Sequence, residues 1–434
     1  MATGLRNAEN AHEPALTERR LMSNGLYSRV MKGTDWDVII VGAGPTGGRT
    51  ATHLSSLGHR VLMLEEHSEI GRPFQCAGLV TPKALQEVGL YDSVLEEVDG
   101  ARIHGPSGTL VPVGTDGKLR TYVVCRKKFD QGVVQQAMES GATLWLNSQP
   151  LSAENSEENV SIVVVQNGVE KKLTTKLLIG CDGAHSWTRR YFKMGRPKEM
   201  MIGFQAEVLG YEGNKRWLDM YSGSEIAPGF FAWVIPSGFG SHRIGVWSTP
   251  ERLNGRSVEQ CYDDLLNHPL WKDRFSNIKE IARFCGPIPS GMVRKTVSNR
   301  IMLLGDAAGM AKPTTGGGIG PGFKQIKGIL QPLSKAITSD NLTEKSLKKI
   351  TSKHFAAMKK DQDKARALRN LLVSDVPDKE LESHFTNFAR PDVLQLINEI
   401  GDIEKPVPLG LALLKKVPAF RKLALKAGTR LMFR

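Results

Sequence analysis

Cysteine is scarce in this chain and follows no pattern. The five present, Cys76, Cys125, Cys181, Cys261 and Cys285, include no CxxC pair. That spacing excludes a disulfide framework or a zinc site and makes a reducing cytoplasm the simplest setting. Long apolar runs are missing too, since none approaches the roughly 20 residues that span a bilayer. Residues 1–35 lack an apolar core and mix Glu9, Glu13 and Glu18 with Arg6, Arg19 and Arg20. They read as an N-terminal extension rather than a signal peptide. Acids are outnumbered: 45 Asp and Glu stand against 58 Lys and Arg, a formal charge of +13. Such an excess favours an anionic partner and is silent about the fold. No internal repeat or low-complexity linker occurs.

What the chain has in plenty is glycine, 44 of 434 residues, and it clusters. The length suggests two to three domains. Asp37-Val38-Ile39-Ile40-Val41 is a β-branched apolar run, the mark of a strand buried on both faces. It runs into Gly42-Ala43-Gly44-Pro45-Thr46-Gly47, then a helical stretch ending near Gly58, then a second apolar strand, Arg60 to Leu64, closed by Glu65 and Glu66. This is a βαβ unit. Short strands and one helix near Phe129 follow. Two more apolar strands end in Cys181-Asp182-Gly183 and Gly305-Asp306, and an aromatic, alternating region spans residues 200–250. From about 323 onward the chain reads as helical and Lys-rich.

The triplet Gly42-x-Gly44-x-x-Gly47 alone is a weak signal. Here it follows a strand and opens a helix, and Glu65 lies eighteen residues beyond Gly47, near the spacing of about 20 for a dinucleotide fingerprint. Gly42 permits the turn, Gly44 admits a pyrophosphate to the backbone with Ala43 and Pro45, and Gly47 lets helix and strand approach. The helix start offers free N–H donors, and Glu65 can accept ribose hydroxyls. NAD and FAD share this motif. The remote strand ends at Asp182-Gly183 and Asp306 favour FAD, whose ribityl chain and flavin extend past the first unit. Asp306 can accept from a ribityl hydroxyl, and a helix opening at Gly318-Ile319 can face the flavin's N1–O2 edge. Arg126 is expected on the pyrophosphate or adenine side. The fold class is thus α/β. A Rossmann-type FAD-binding domain is discontinuous over 36–100, 101–195 and 285–335, an antiparallel-sheet substrate domain spans 196–284, and a helical region spans 336–434.

With these residues laid out, the chain resembles the geranylgeranyl reductase family, within the flavoprotein superfamily that also holds para-hydroxybenzoate hydroxylase. Arg72-Pro73-Phe74-Gln75-Cys76-Ala77-Gly78 looks like the family's cysteine motif beside the flavin. Pro228-Gly229-Phe230-Phe231-Ala232-Trp233-Val234-Ile235-Pro236 looks like its aromatic substrate motif, YxWxFP. Phe231 stands for the tyrosine and Ile235 for the phenylalanine, while Trp233 and Pro236 remain. Apolar lining is then the motif's job. The resemblance implies Cys76 as the catalytic thiol, beside Ala77, and Phe231, Trp233 and Pro236 as substrate contacts. It implies reduction of isolated C=C bonds in geranylgeranyl chains, most strongly of digeranylgeranylglycerophospholipids. Free geranylgeranyl diphosphate or a chlorophyll-side precursor is the alternative in that class, and an aromatic hydroxylase the alternative outside it. Ferredoxin, a reduced deazaflavin and NADPH all stand open as electron donors, for there is no second nicotinamide fingerprint. No metal site and no nucleic-acid partner are expected.

Residues 411–434 hold seven bases and no acid, interleaved with Leu411, Leu413, Leu414, Val417, Phe420, Leu423 and Leu425. A basic amphipathic segment can lie in an anionic membrane surface. With a lipid substrate implied, the expectation is a cytoplasmic, peripherally membrane-associated protein.

Overall fold

A computed structural model describes residues 34–73, 76–402, 405–420 and 423. Its first sheet is organised around the strand Trp36–Val41, which pairs in parallel with Val61–Leu64 on one side and Val169–Gly180 on the other. Val38, Ile39, Ile40, Val61, Leu62 and Met63 are fully buried. Their lack of polar alternation is what a strand covered on both faces requires. Ile301–Leu303 extends the sheet beyond Val169–Gly180, and Thr143–Trp145 closes its other edge. The helices Pro45–Ser55, Arg126–Glu139 and Ile319–Thr338 belong to this layer.

A second sheet of seven strands runs in the order Lys279–Ser290, Glu199–Leu209, Ser241–Ser248, Ala232–Pro236, Trp217–Tyr221, Gly100–His104 and Leu110–Val113. All its neighbours are antiparallel except Trp217–Tyr221 with Gly100–His104, which is parallel. This corrects the expected boundaries in two places. Gly100–His104 and Leu110–Val113 fall in the stretch given to the FAD domain but join the other sheet, and Lys279–Ser290 crosses position 285. Periodicity marks a strand without naming its partner, and Gly100 pairs with Trp217, more than a hundred residues away. A three-stranded sheet of Leu79–Val80, Thr121–Val124 and Val94–Val98 joins the two layers. There Val98 and Val123 pack with Leu218 and Ile235 of the larger sheet.

The C-terminal helices Glu344–Arg369, Asp378–Phe388, Pro391–Ile400 and Pro406–Lys416 build their own apolar core. Leu413, Leu414, Val417, Phe420 and Leu423 are buried in it, whereas Leu411 is exposed. Most described apolar groups of the basic tail thus face the protein. Its residues 421–422 and 424–434 lie outside the described residues. Among the described residues, no helix is long and apolar enough to cross a membrane.

One ionic cluster ties this helical region to the rest. Glu199, on the second sheet, accepts from Arg366 Nε at 2.8 Å and Arg369 Nη2 at 2.6 Å. Arg369 Nη1 also donates to the Pro313 carbonyl at 2.8 Å, and its guanidinium lies 4.6 Å over the Phe230 ring. Removing one partner of a buried ion pair leaves an uncompensated charge. Glu199→Ala is therefore expected to cost about 3–5 kcal/mol, measured as a lowered midpoint in denaturant unfolding.

Candidate active site

The turn after Val41 shows why the three glycines differ. Gly42 has φ +94°, and a Cβ there would lie 2.5 Å from the Cys181 carbonyl. A Cβ on Gly47 would lie 2.0 Å from the Gly42 carbonyl. Both positions are closed by the protein itself. Gly44 is the opposite case, with φ −70° and open space where its Cβ would stand. It caps the Pro45–Ser55 helix without any side-chain hydrogen bond, and Pro45 sits in its first turn. The free N–H groups therefore face an open surface.

A second uncapped helix start stands beside the first. Gly318 caps Ile319–Thr338 with no side-chain bond. Thr46 Oγ1 lies 2.2 Å from the Cβ position of Gly322 and 2.7 Å from that of Gly305. Three backbones thus converge on one threonine, and the starts of two uncapped helices lie side by side, bordering one groove.

The acids line this groove in different ways. Glu65 Oε2 accepts the Ala43 N–H at 3.0 Å, and Oε1 accepts the His67 N–H at 3.1 Å with His67 Nδ1 at 2.6 Å. Glu66 is exposed to solvent. Asp182 turns its carboxylate to Ser186 Oγ, Thr188 N and Thr188 Oγ1 at 2.5, 2.8 and 2.9 Å. It shapes the local turn, and Gly183, at φ +67°, has open space where its Cβ would stand. Asp306 has Oδ1 2.6 Å from the Cβ position of Gly318. Among the described residues its carboxylate accepts no hydrogen bond. Burial pushes its carboxyl up to about 6 against the opposing pull of Arg126.

Cys76 lies at the groove's other wall, its Sγ 3.4 Å from the Gly78 N–H. Phe74 and Gln75 lie outside the described residues. Arg126, expected on the pyrophosphate or adenine side, is paired within its own helix. Its Nε and Nη2 bind Asp130 at 3.0 and 2.8 Å, and the guanidinium lies close to the Cys76 sulfur. Burial alone would weaken its hold on its proton, but Asp130 and Cys76 together strengthen it. Asp130 sits one helical turn on, at i+4, so the bidentate pair forms locally.

Phe231 and Trp233 are brought together, with ring centroids 6.4 Å apart, and Trp247 joins them at 5.2 Å from Phe231. Trp247 Cζ3 is 3.2 Å from the Cβ position of Gly316, so this aromatic wall ends at the loop opening the second helix. Trp233 Nε1 donates to Gln205 Oε1 at 3.2 Å. Strand alternation separates Pro236 from them. Trp233 and Ile235 face Ala77 and Leu79, while Ala232 and Val234 face the opposite core, and Pro236 shares their parity. Sequence reasoning missed Trp247, Gln205 and Arg243. Trp247 and Arg243 lie on the strand paired with the aromatic motif and Gln205 on the strand beyond it, which only the pairing reveals.

The open face of Gly44, the two free helix ends and the unpartnered Asp306 fit an extended, anionic dinucleotide with hydroxyls at its centre. The chain is an FAD-dependent oxidoreductase. Residues 35–342 match the family model described as FAD binding domain. The chain is similar to digeranylgeranylglycerophospholipid reductase 1 of Methanococcoides burtonii, 31% identical over 72% of this chain and 78% of that one. The digeranylgeranylglycerophospholipid reductase of Methanosarcina acetivorans is 29% identical over 80% of this chain and 87% of that one. A crystal structure of a geranylgeranyl bacteriochlorophyll reductase-like protein from Thermoplasma acidophilum superposes with a TM-score of 0.79. It is 24% identical and is covered over 99% of its length by 90% of this chain. The chain belongs to the geranylgeranyl reductase family of FAD-binding proteins.

Two outcomes follow from the groove. Gly44→Val should fold, because its φ is ordinary and a Cβ there meets no protein atom within 4 Å, yet purify without flavin absorbance. Asp306→Asn tests the unpartnered carboxyl. The folded apoprotein holds that proton more tightly than the unfolded chain, so its stability falls as pH rises from about 4 to about 6. At pH 8 the Asn apoprotein should therefore be more stable than wild type by on the order of 2–3 kcal/mol, an advantage that vanishes below pH 4 in urea titrations.

Proposed function

We propose that this protein saturates C=C bonds of geranylgeranyl chains, with digeranylgeranylglycerophospholipids as the substrate class. The observation that carries this reading is the aromatic wall of Phe231, Trp233 and Trp247, which meets the flavin-side helix at Gly316 opposite the Cys76 loop. The names of the relatives above support the same class. FAD, when bound and reduced, supplies a hydride to an alkene carbon. An isolated alkene has no carbonyl to polarise, so the protein's part is to hold the chain in place and to deliver the proton. The three aromatic side chains exclude water and offer π faces to cationic character on the second carbon. Phe231, lacking a hydroxyl, contributes only apolar surface. The Cys76 thiol holds the proton, and Arg126 fixes the sulfur from one side.

A substrate with two C20 chains stays in its bilayer. The proposed setting is therefore the cytoplasmic face of an anionic membrane, to which the +13 chain is drawn by charge. The reading is tested anaerobically with FAD-loaded protein and substrate in anionic liposomes. Reduced ferredoxin, a reduced deazaflavin and NADPH are supplied in turn, and mass spectrometry counts the hydrogens gained. No gain with any donor would overturn the substrate class. Cys76→Ala should retain FAD but reduce turnover more than tenfold, about 1.4 kcal/mol. Undiminished turnover would remove the thiol from the reaction.

A further inference from the structure

Arg243 sits in the strand Ser241–Ser248, opposite Ile235 and two residues from Gly245, which lies beneath Trp233. It is 3% exposed. Burying a guanidinium is costly unless its protons are taken up, and the carboxylate of Glu207 stands 3.9 Å from its Nε. The protons go elsewhere. Arg243 Nη1 donates to the Ala77 carbonyl at 2.9 Å and to the Val124 carbonyl at 3.3 Å. The same nitrogen lies 2.2 Å from the Cβ position of Gly78, whose φ is +84°. Position 78 is thus glycine because the guanidinium occupies the space a side chain would need.

These contacts fall at one junction. Ala77 follows Cys76 in the chain, and Val124 N donates to the Gly78 carbonyl at 2.9 Å, the start of the small sheet that joins the two layers. Arg126 begins the helix two residues after Val124 and reaches the Cys76 sulfur from there. One nitrogen of the substrate sheet therefore clamps the backbone on both strands that carry the thiol and its guanidinium partner. An apolar side chain would fill the site without that clamp.

We propose that Arg243 is a positioning residue for Cys76. From the aromatic sheet it fixes the cysteine loop so that the thiol stands at the groove. This rests on the function proposed above, because the proton delivered there is Cys76's. The hydrogen bonds described for Arg243 go to backbone carbonyls, not to the thiol. It acts through the loop.

The test uses FAD-loaded Arg243→Gln and Arg243→Lys, each alone and combined with Cys76→Ala. Iodoacetamide alkylation of Cys76, followed by peptide mass spectrometry, reads the loop without needing turnover. Exposed Cys285 serves as the internal control. In Arg243→Gln, alkylation of Cys76 should quicken at least tenfold while that of Cys285 stays unchanged. Turnover should fall tenfold through kcat with KM held, and Lys should recover part of it. In the Cys76→Ala background Arg243→Gln should lower residual turnover no further, because a residue acting through the thiol has nothing left to act on. Unchanged Cys76 alkylation in both variants, or an equal loss with and without the thiol, would overturn the proposal. So would failure of both variants to fold, which would make Arg243 a stability residue. If alkylation responds but no prenyl lipid is reduced, the positioning stands and the substrate class falls.

Discussion

Thr46 is held between Gly305 and Gly322, and through that contact two helix N-termini are brought into one groove. Each helix start leaves several N–H groups without intrahelical partners and carries a partial positive charge. Separately, either would be a modest anion site. Packed side by side with no side-chain caps, they form an extended electropositive surface that can hold both the phosphates of a dinucleotide and the electron-rich edge of its flavin. Each backbone meeting there needs a position without a Cβ: Gly42 and Gly47 in the first turn, Gly305 in the turn after Ile301–Leu303, Gly322 in the second helix.

The aromatic wall depends on that same groove but is built from different chain segments. Trp247 is positioned by strand pairing, with Gly203 on one flank, and the loop of Gly316 closes over it. Phe231 and Trp233 complete the wall. The cysteine loop faces them from the small joining sheet. No one of these elements is local to another in sequence, which is why the groove forms only when both sheets and the joining sheet have docked.

Charge is distributed with the same economy. Arg126 is neutralised by Asp130 on its own helix, and Glu199 binds Arg366 and Arg369 from the C-terminal region. Asp306, by contrast, is left without a donor among the described residues. A buried carboxyl without a partner is unfavourable for the protein alone. Such groups are found where a ligand brings the missing hydrogen bond.

The first βαβ unit, its glycines, Glu65 and the later strand ends at Asp182 and Asp306 were legible in the sequence because each is a local signature. Apolar runs mark buried strands, and glycines mark positions where a backbone is closely approached. The cysteine and aromatic motifs were legible as a family resemblance. What remained hidden was everything set by pairing between distant segments. The pairing of Arg126 with Asp130 and its nearness to Cys76 appear only once the segments are folded together. Pro236 reads with Trp233 until alternation turns it to the other face. The membership of Gly100–His104 and Leu110–Val113 in the second sheet, and the inward packing of Leu413, Leu414 and Phe420, were likewise decided by tertiary contacts. Local sequence fixes a segment's conformation and which of its sides is apolar. Which surface that side meets depends on the whole chain, because burial is satisfied equally well by any apolar partner of the right shape.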